Sequence, residues 1–324
     1  MRKWPHIEGF STLRRNIERV NRLGEYPTVA YKAKIKLDGT NAAIRFQSGA
    51  VCYQSRTQDI TPEKDNAGFA RWASTVAWPA SLHIQGKAVV VHGEWAGKGV
   101  QTGTSVASVE KKFFIFSIEI SDGKEDGATG SYVTEPDKIR EMLGGFTHPD
   151  VHVLPWHWKG VEYVVDFNKE SSIRGFATFL NNDVLEVEAC DPYIKETFGV
   201  SGVGEGLVLY PQVEEDMNLW ALLVFKAKGE KHRVKAATVA VEVDPEFLAS
   251  VDAFVAAFVT EARCQQGLTV ACNGDRHPSK TGAFIGWMGR DIERESKEEL
   301  AVSGLTWKQV AQPVANAARK WFQA

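Results

Sequence analysis

The stretch KIKLDGTNAAIRF, residues 34–46, sets Lys36 two positions before Asp38 and Gly39, with Thr40 and Asn41 directly after. Apolar and polar residues alternate on both sides, which predicts two strands, and the glycine predicts the bend between them. Two meanings fit. One is a hairpin carrying a surface lysine. The other is a nucleophile on a tight loop, because glycine lets the backbone come close to a ligand. An amine attacks phosphorus only when unprotonated, and a free lysine has a pKa near ~10.4. Burial or nearby positive charge would have to lower that value.

Outward from this stretch, the alternation runs from Thr28 to Asp59 with bends at Gly39 and Gly49, a meander of strands. STLRRNIERVNRL, before it, predicts a helix with Ser11 or Thr12 as N-cap and Leu13, Ile17 and Val20 on one face. FARWASTVAW and EPDKIREML also read as helical, while AVVVHGEWAG, KKFFIFSIEI, GEGLVLYP and WALLVFKAK read as strands. KGVQTGTSVAS and SDGKEDGATGS are loop signals, the second a surface hairpin. Alternation stops near Glu242–Phe247, and three amphipathic helical patterns follow. The expected organisation is an α+β domain of antiparallel sheets over residues 1–240 and a small all-helical domain over 241–324.

With 324 residues, 44% hydrophobic and 24% charged, the chain can bury a sizeable core. A net charge of −3 leaves nucleic-acid binding to a local patch. No run approaches the ~20 apolar residues of a membrane span, and the start lacks the pattern of a secretory signal. The four scattered cysteines suggest a reducing, cytoplasmic setting. Cys264, Cys272 and His277 contain no C-x-x-C pair, so free thiols are expected there rather than zinc ligands.

Several further pieces carry chemistry. Lys226 and Lys228 in FKAKG sit at strand spacing on one face with Val224. They would either guard an exposed edge or neutralise phosphate oxygens and lower the pKa of Lys36. Glu205, between two glycines in GEGLVLYP, is a hard carboxylate suited to hydrated Mg²⁺, or a turn residue. Glu94 in HGEWAG ends a strand, where it would meet a ribose hydroxyl or a metal-bound water. Phe114, Phe116 and Ile118 in FFIFSIEI share a strand face, mostly core, with one aromatic able to stack on a base. Arg56 in QSRT closes a strand, a place for a phosphate fork.

Taken in order, K-x-D-G, Arg56, G-E, F-x-F, E-G and K-x-K resemble the covalent nucleotidyltransferases, with their ATP-grasp-like catalytic domain. Asn41, SRT, GEWAG, GKGVQTG and the helical tail resemble the RNA-ligase-2-like branch, over about Tyr31–Gly229. That resemblance implies an ATP-dependent RNA ligase that joins 5′-phosphate and 3′-hydroxyl ends at nicks in duplexes. Lys36 would carry AMP, with Asp38 in its motif. Phe116 would stack on adenine, and Glu94 would hold the ribose. Glu205, with Glu94 through water, would organise Mg²⁺, for which Mn²⁺ substitutes. Lys226 and Lys228 would grip AMP and triphosphate, and Arg56 would act on phosphates. Ile35 and Asn41 complete the nucleotide contacts.

Asp38 and Ser117 depart from the branch, which commonly has histidine and aspartate there; Glu119, on the face of Ser117, is expected to supply the missing carboxylate. The implied partner is RNA, as nicked duplex RNA or an RNA/DNA hybrid, bound by a monomer in the cytoplasm of the cell or of a phage host. The alternatives are a DNA ligase or GTP-using capping-type enzyme, and a non-catalytic nucleic-acid-binding module.

Overall fold

The computed structural model describes residues 3–10, 12, 13, 17, 28–124, 129–213, 217–229, 251–297, 299, 300 and 305–324. The chain divides into two compact units, Met1–Ala227 and Lys228–Ala324. The boundary expected near residue 240 falls outside the described residues, as does most of the expected first helix, of which Leu13 and Ile17 are helical and buried.

The first unit is built on two sheets. Strands β1 (Thr28–Lys36), β9 (Tyr163–Asp166), β10 (Gly206–Pro211) and β11 (Phe225–Lys228) form one, in the order β11-β10-β1-β9. The other runs β4 (Asp59–Ile60), β3 (Ala50–Ser55), β2 (Thr40–Gln47), β5 (Ala88–Ala96), β6 (Lys112–Ser121) and β7 (Gly130–Val133), with β8 (Val151–Val153) alongside β6. β1 runs antiparallel to β9 and β10, and β4, β3, β2, β5, β6 and β7 are antiparallel in succession, with β8 parallel to β6, so the α+β reading of the sequence holds.

The β1–β2 connection is not a hairpin. β1 pairs with β9 and β10, whereas β2 pairs with β3 and β5, so Leu37–Gly39 carries the chain from one sheet to the other. Alternation along β1 sends Val29, Tyr31, Ala33 and Ile35 into a core shared with Ile173, Phe176, Leu180 and Val184 of the helix Glu170–Ala189. A second core lies on β2, β5 and β6 and is covered by the helices Phe69–Ala73 and Pro136–Met142.

One strand assignment is corrected. WALLVFKAK reads as a continuous strand, but Met217–Leu223 is helical and only Phe225–Lys228 is strand. A short apolar run supports either state; here Trp220 turns in to pack on Tyr210 and Val224.

The second unit is helical: Val251–Phe258, Glu261–Cys272, Thr281–Glu295 and Trp307–Gln323. Thr260 and Thr306 cap the second and fourth of these, the latter in a capping box with Gln309. The unit closes around Phe254, Phe258, Phe284, Met288 and Phe322. Cys264 and Cys272 are free thiols buried in that core, and burial pushes Cys264 up to about 12. Among the described residues no helix is long and apolar enough to cross a membrane.

Candidate active site

The antiparallel register sets Lys36, the last residue of β1, opposite Gly206 of β10, and so brings Glu205 beside it. The Lys36 ammonium donates a hydrogen bond of 2.6 Å to Glu205 Oε2. Three residues after Lys36, the chain passes so close to β5 that a Cβ on Gly39 would lie 2.6 Å from the Trp95 carbonyl oxygen and 2.9 Å from Glu94 Cγ. Glycine is required there by proximity. The turn thus rests on Glu94, and Asn41 faces Glu94 across the β2–β5 pairing.

Electrostatically these residues form one group. Burial pulls the pKa of Lys36 down, but Glu205, Glu94 and Asp38 together outweigh it, so the amine is held above its ordinary value. This reverses the expectation that Lys226 and Lys228 would lower it: the charges that govern the amine are carboxylates. Glu94 is pushed up to about 8, first by burial, with Lys36 opposing and Glu205 and Asp38 adding to the rise. Three carboxyl groups around one amine cannot all ionise cheaply, and burial beside Glu205 and Asp38 favours the protonated form of Glu94 when no cation other than Lys36 is near. Arg56, which is exposed, bears on Glu94 from the rim and donates to Nδ1 of His6.

Opposite the core-facing residues of β1 stand Lys32, Lys34 and Lys36. Ile35 faces the core at 6% exposure, so its side chain is not among the groups offered to a nucleotide. Sequence reasoning missed Lys34, although the Lys-x-Lys-x-Lys alternation was the signal for it. Its amine is fully buried, donates to the Phe116 carbonyl at 2.8 Å, and lies 4.8 Å from the Trp156 ring and 5.5 Å from that of Tyr210. Burial lowers it to about 7, against the pull of Glu135. Tyr210 and Val208 pair with Lys32 and Lys34 and pack with Val224. Alternation from Val224 along β11 therefore puts Lys226, and Lys228 after it, on the same face.

Phe116 owes its direction to a β-bulge. The β5–β6 register jumps between His92 and Gly93, and Phe116 is left without a partner in that pairing. Phe113 and Ile115, before the jump, and Ile118, after it, reach the second core, whereas Phe114 and Phe116 reach the first. The expected shared face of Phe114, Phe116 and Ile118 is broken by that one extra residue. Beyond the bulge, Ser117 donates to the Val133 carbonyl at 3.2 Å. Glu119 is buried with its carboxylate 3.3 Å from His92 Nε2, so the carboxylate expected to stand in for the missing aspartate is engaged by that histidine.

The residues present offer hard oxygen donors. Among the described residues no cluster of three or more His, Cys, Asp or Glu side chains could hold a metal by itself. Glu205 and Glu94 fit an ion that keeps most of its waters, as Mg²⁺ does, rather than a metal caged by protein.

No curated protein sequence matches the chain significantly. Among solved structures, a mutant of Naegleria gruberi RNA ligase with ATP and Mn is similar at 17% identity, over 72% of this chain and 58% of that one, with a TM-score of 0.45. The same ligase with PPi is similar at 18% identity, over 71% of this chain and 56% of that one, TM-score 0.45. The chain thus spans less than two thirds of the length of those structures. The pattern of the RNA ligase family matches residues 31–228, more than half of the sequence and nearly all of the strand framework that holds Lys36, Glu94, Phe116, Glu205 and Lys226. On that match the chain belongs to the RNA ligase family.

Proposed function

We propose that the protein is an ATP-dependent RNA ligase that works through a lysyl-adenylate. Lys36 Nζ attacks the α-phosphorus of ATP, a new N–P bond forms and pyrophosphate leaves. The AMP then passes to an RNA 5′-phosphate to give a 5′–5′ pyrophosphate, releasing Lys36. Finally the 3′-hydroxyl attacks that phosphate and expels AMP, sealing the strand. Such transfers need positioning and charge neutralisation more than elaborate covalent machinery.

One observation carries the reading: a lysine, fixed by strand register and by a glycine-tight turn, sits 2.6 Å from Glu205 within a group of three carboxyl residues. Without a nucleotide this surrounding holds the amine protonated, and Glu205 Oε2 is the acceptor against which its proton rests. Glu205 and Glu94 would hold Mg²⁺, which when bound supplies positive charge against the carboxylates and the phosphate oxygens. Phe116 serves as the base platform, Glu94 and Asn41 face the sugar, and Lys226, Lys228 and Arg56 neutralise phosphates. The substrate is RNA with 5′-phosphate and 3′-hydroxyl ends at a duplex nick.

Incubation with α-labelled ATP and Mg²⁺ tests this. The wild type should take up a label that survives denaturation, and Lys36→Ala should take up none. A wild type that stays unlabelled with ATP and with GTP overturns the reading. A chain ending near residue 240 should still label itself but seal nicked RNA poorly; sealing as efficient as that of the full chain would remove the helical unit from the later steps.

A further inference from the structure

The segment 3–10 touches the site at three points. Trp4 lies against Phe116, with ring centroids 4.9 Å apart. His6 accepts from Arg56, and the Glu8 carbonyl accepts from the Lys226 amide at 2.8 Å. Each of these partners was expected, from the sequence, to hold part of a nucleotide or phosphate.

The contact of Trp4 bears directly on ligand entry. Its indole stands within ring contact of His92 at 5.0 Å, Tyr132 at 5.1 Å and Trp220 at 5.7 Å, as well as of Phe116. Phe116 is only 8% exposed. A base inserted between two rings needs two contacts in series, about 7 Å from ring to ring. The indole meets Phe116 edge-on, at 61° with centroids 4.9 Å apart, so no parallel slot for a base lies between the two rings. An indole is also the side chain closest in outline to a purine: both are flat fused bicycles of a five- and a six-membered ring.

We infer that Trp4 gates the base site, its indole occupying the place on Phe116 that the adenine of ATP takes, and withdrawing when ATP enters. This rests on the reading of Phe116 as the base platform. The gate acts on binding. A site open only part of the time shows an apparent affinity reduced by the open fraction, and removing the occupant restores the intrinsic value. Because Trp4, His6 and Glu8 lie on one short segment, its withdrawal also bears on Arg56 and Lys226, which gives ATP entry a route to the phosphate side of the site.

The test is single-turnover self-adenylylation against ATP concentration for the full-length wild type, Trp4→Ala and Trp4→Phe. A gate predicts that Trp4→Ala lowers the half-saturating ATP concentration by about fivefold, with the limiting rate within about twofold of wild type. Trp4→Phe should fall between the two. A half-saturating concentration that is unchanged or raised in Trp4→Ala overturns the gate, the rise being what a fixed wall of the base pocket would give.

A second measurement does not depend on the alanine variant folding. The ten tryptophans are replaced by 5-fluorotryptophan, and Trp4→Phe assigns the Trp4 signal by its loss. Saturating ATP should shift that signal to a solvent-exposed position with a clear H₂O/D₂O difference; a signal that stays buried overturns the gate. A labelled wild type with either adverse result sinks the gate alone. An unlabelled wild type with an unmoved Trp4 signal sinks the gate and the ligase reading together.

Discussion

Replacing Gly39 with alanine tests whether the turn after Lys36 is positioned by its contact with β5. The new Cβ would sit 2.6 Å from the Trp95 carbonyl oxygen, 2.8 Å from Ala96 Cβ and 2.9 Å from Glu94 Cγ. The first two belong to a central strand paired on both sides, by β2 and by β6, so neither can yield cheaply. Relief to the 3.4 Å of ordinary contact requires a shift of about 0.8 Å, and the turn is the part free to make it. Overpacking of this kind costs about 1–3 kcal/mol of stability. The functional cost should be larger in proportion, because displacing a reacting group by about 1 Å costs on the order of 100-fold in rate.

Gly39→Ala should therefore remain folded at 25 °C, melt at a lower temperature, and self-adenylylate about 100-fold more slowly in a single turnover. Chemical denaturation and the rate of label incorporation measure the two effects separately. A variant that is destabilised yet labels at the wild-type rate would show that Lys36 is not positioned through this turn. One that labels slowly at unchanged stability would remove the steric argument.

Other outcomes follow from particular side chains. The Lys34 amine has a pKa of about 7 when folded and an ordinary value of 10.5. Below pH 7 both states hold the proton and the whole burial penalty applies; between about 7 and 10 the folded state sheds it while the unfolded state keeps it. Stability should thus rise with pH, so that from pH 7 to 9 the wild type gains about 2 kcal/mol on Lys34→Met in denaturant titrations; a parallel pH dependence of the two proteins would refute this. Glu119→Ala leaves the buried His92 without its hydrogen-bond partner and should cost about 1–3 kcal/mol in the same assay. If it then seals RNA as well as wild type, Glu119 is structural and does not replace an aspartate at Ser117. Gly175 is exposed within Glu170–Ala189, and a Cβ added there would meet no heavy atom within 4 Å. Gly175→Ala should therefore stabilise by about 0.5–1 kcal/mol without altering adenylylation, as melting and label incorporation would show.

Sequence by itself determined the chemistry available and the local forms that carry it. Lysine, carboxylates and glycine come in an order that needs no coordinates, and period-two alternation placed β1, β2, β5, β6 and β10 because strand faces follow from residue parity. What parity cannot register is an inserted residue: the bulge at Phe116 reversed the phase of β6, and only the β5 register exposes it. Nor does a local pattern say which strands pair, so the crossing of Leu37–Gly39 between sheets, the helix at Met217–Leu223, and the meeting of Lys36 with Glu205 across 169 residues were decided by tertiary structure. The same holds for the charge around Lys36. The nearby lysines in sequence motifs suggested a cationic pocket, but a pKa depends on distance and burial in three dimensions, and there the amine is ringed by acids.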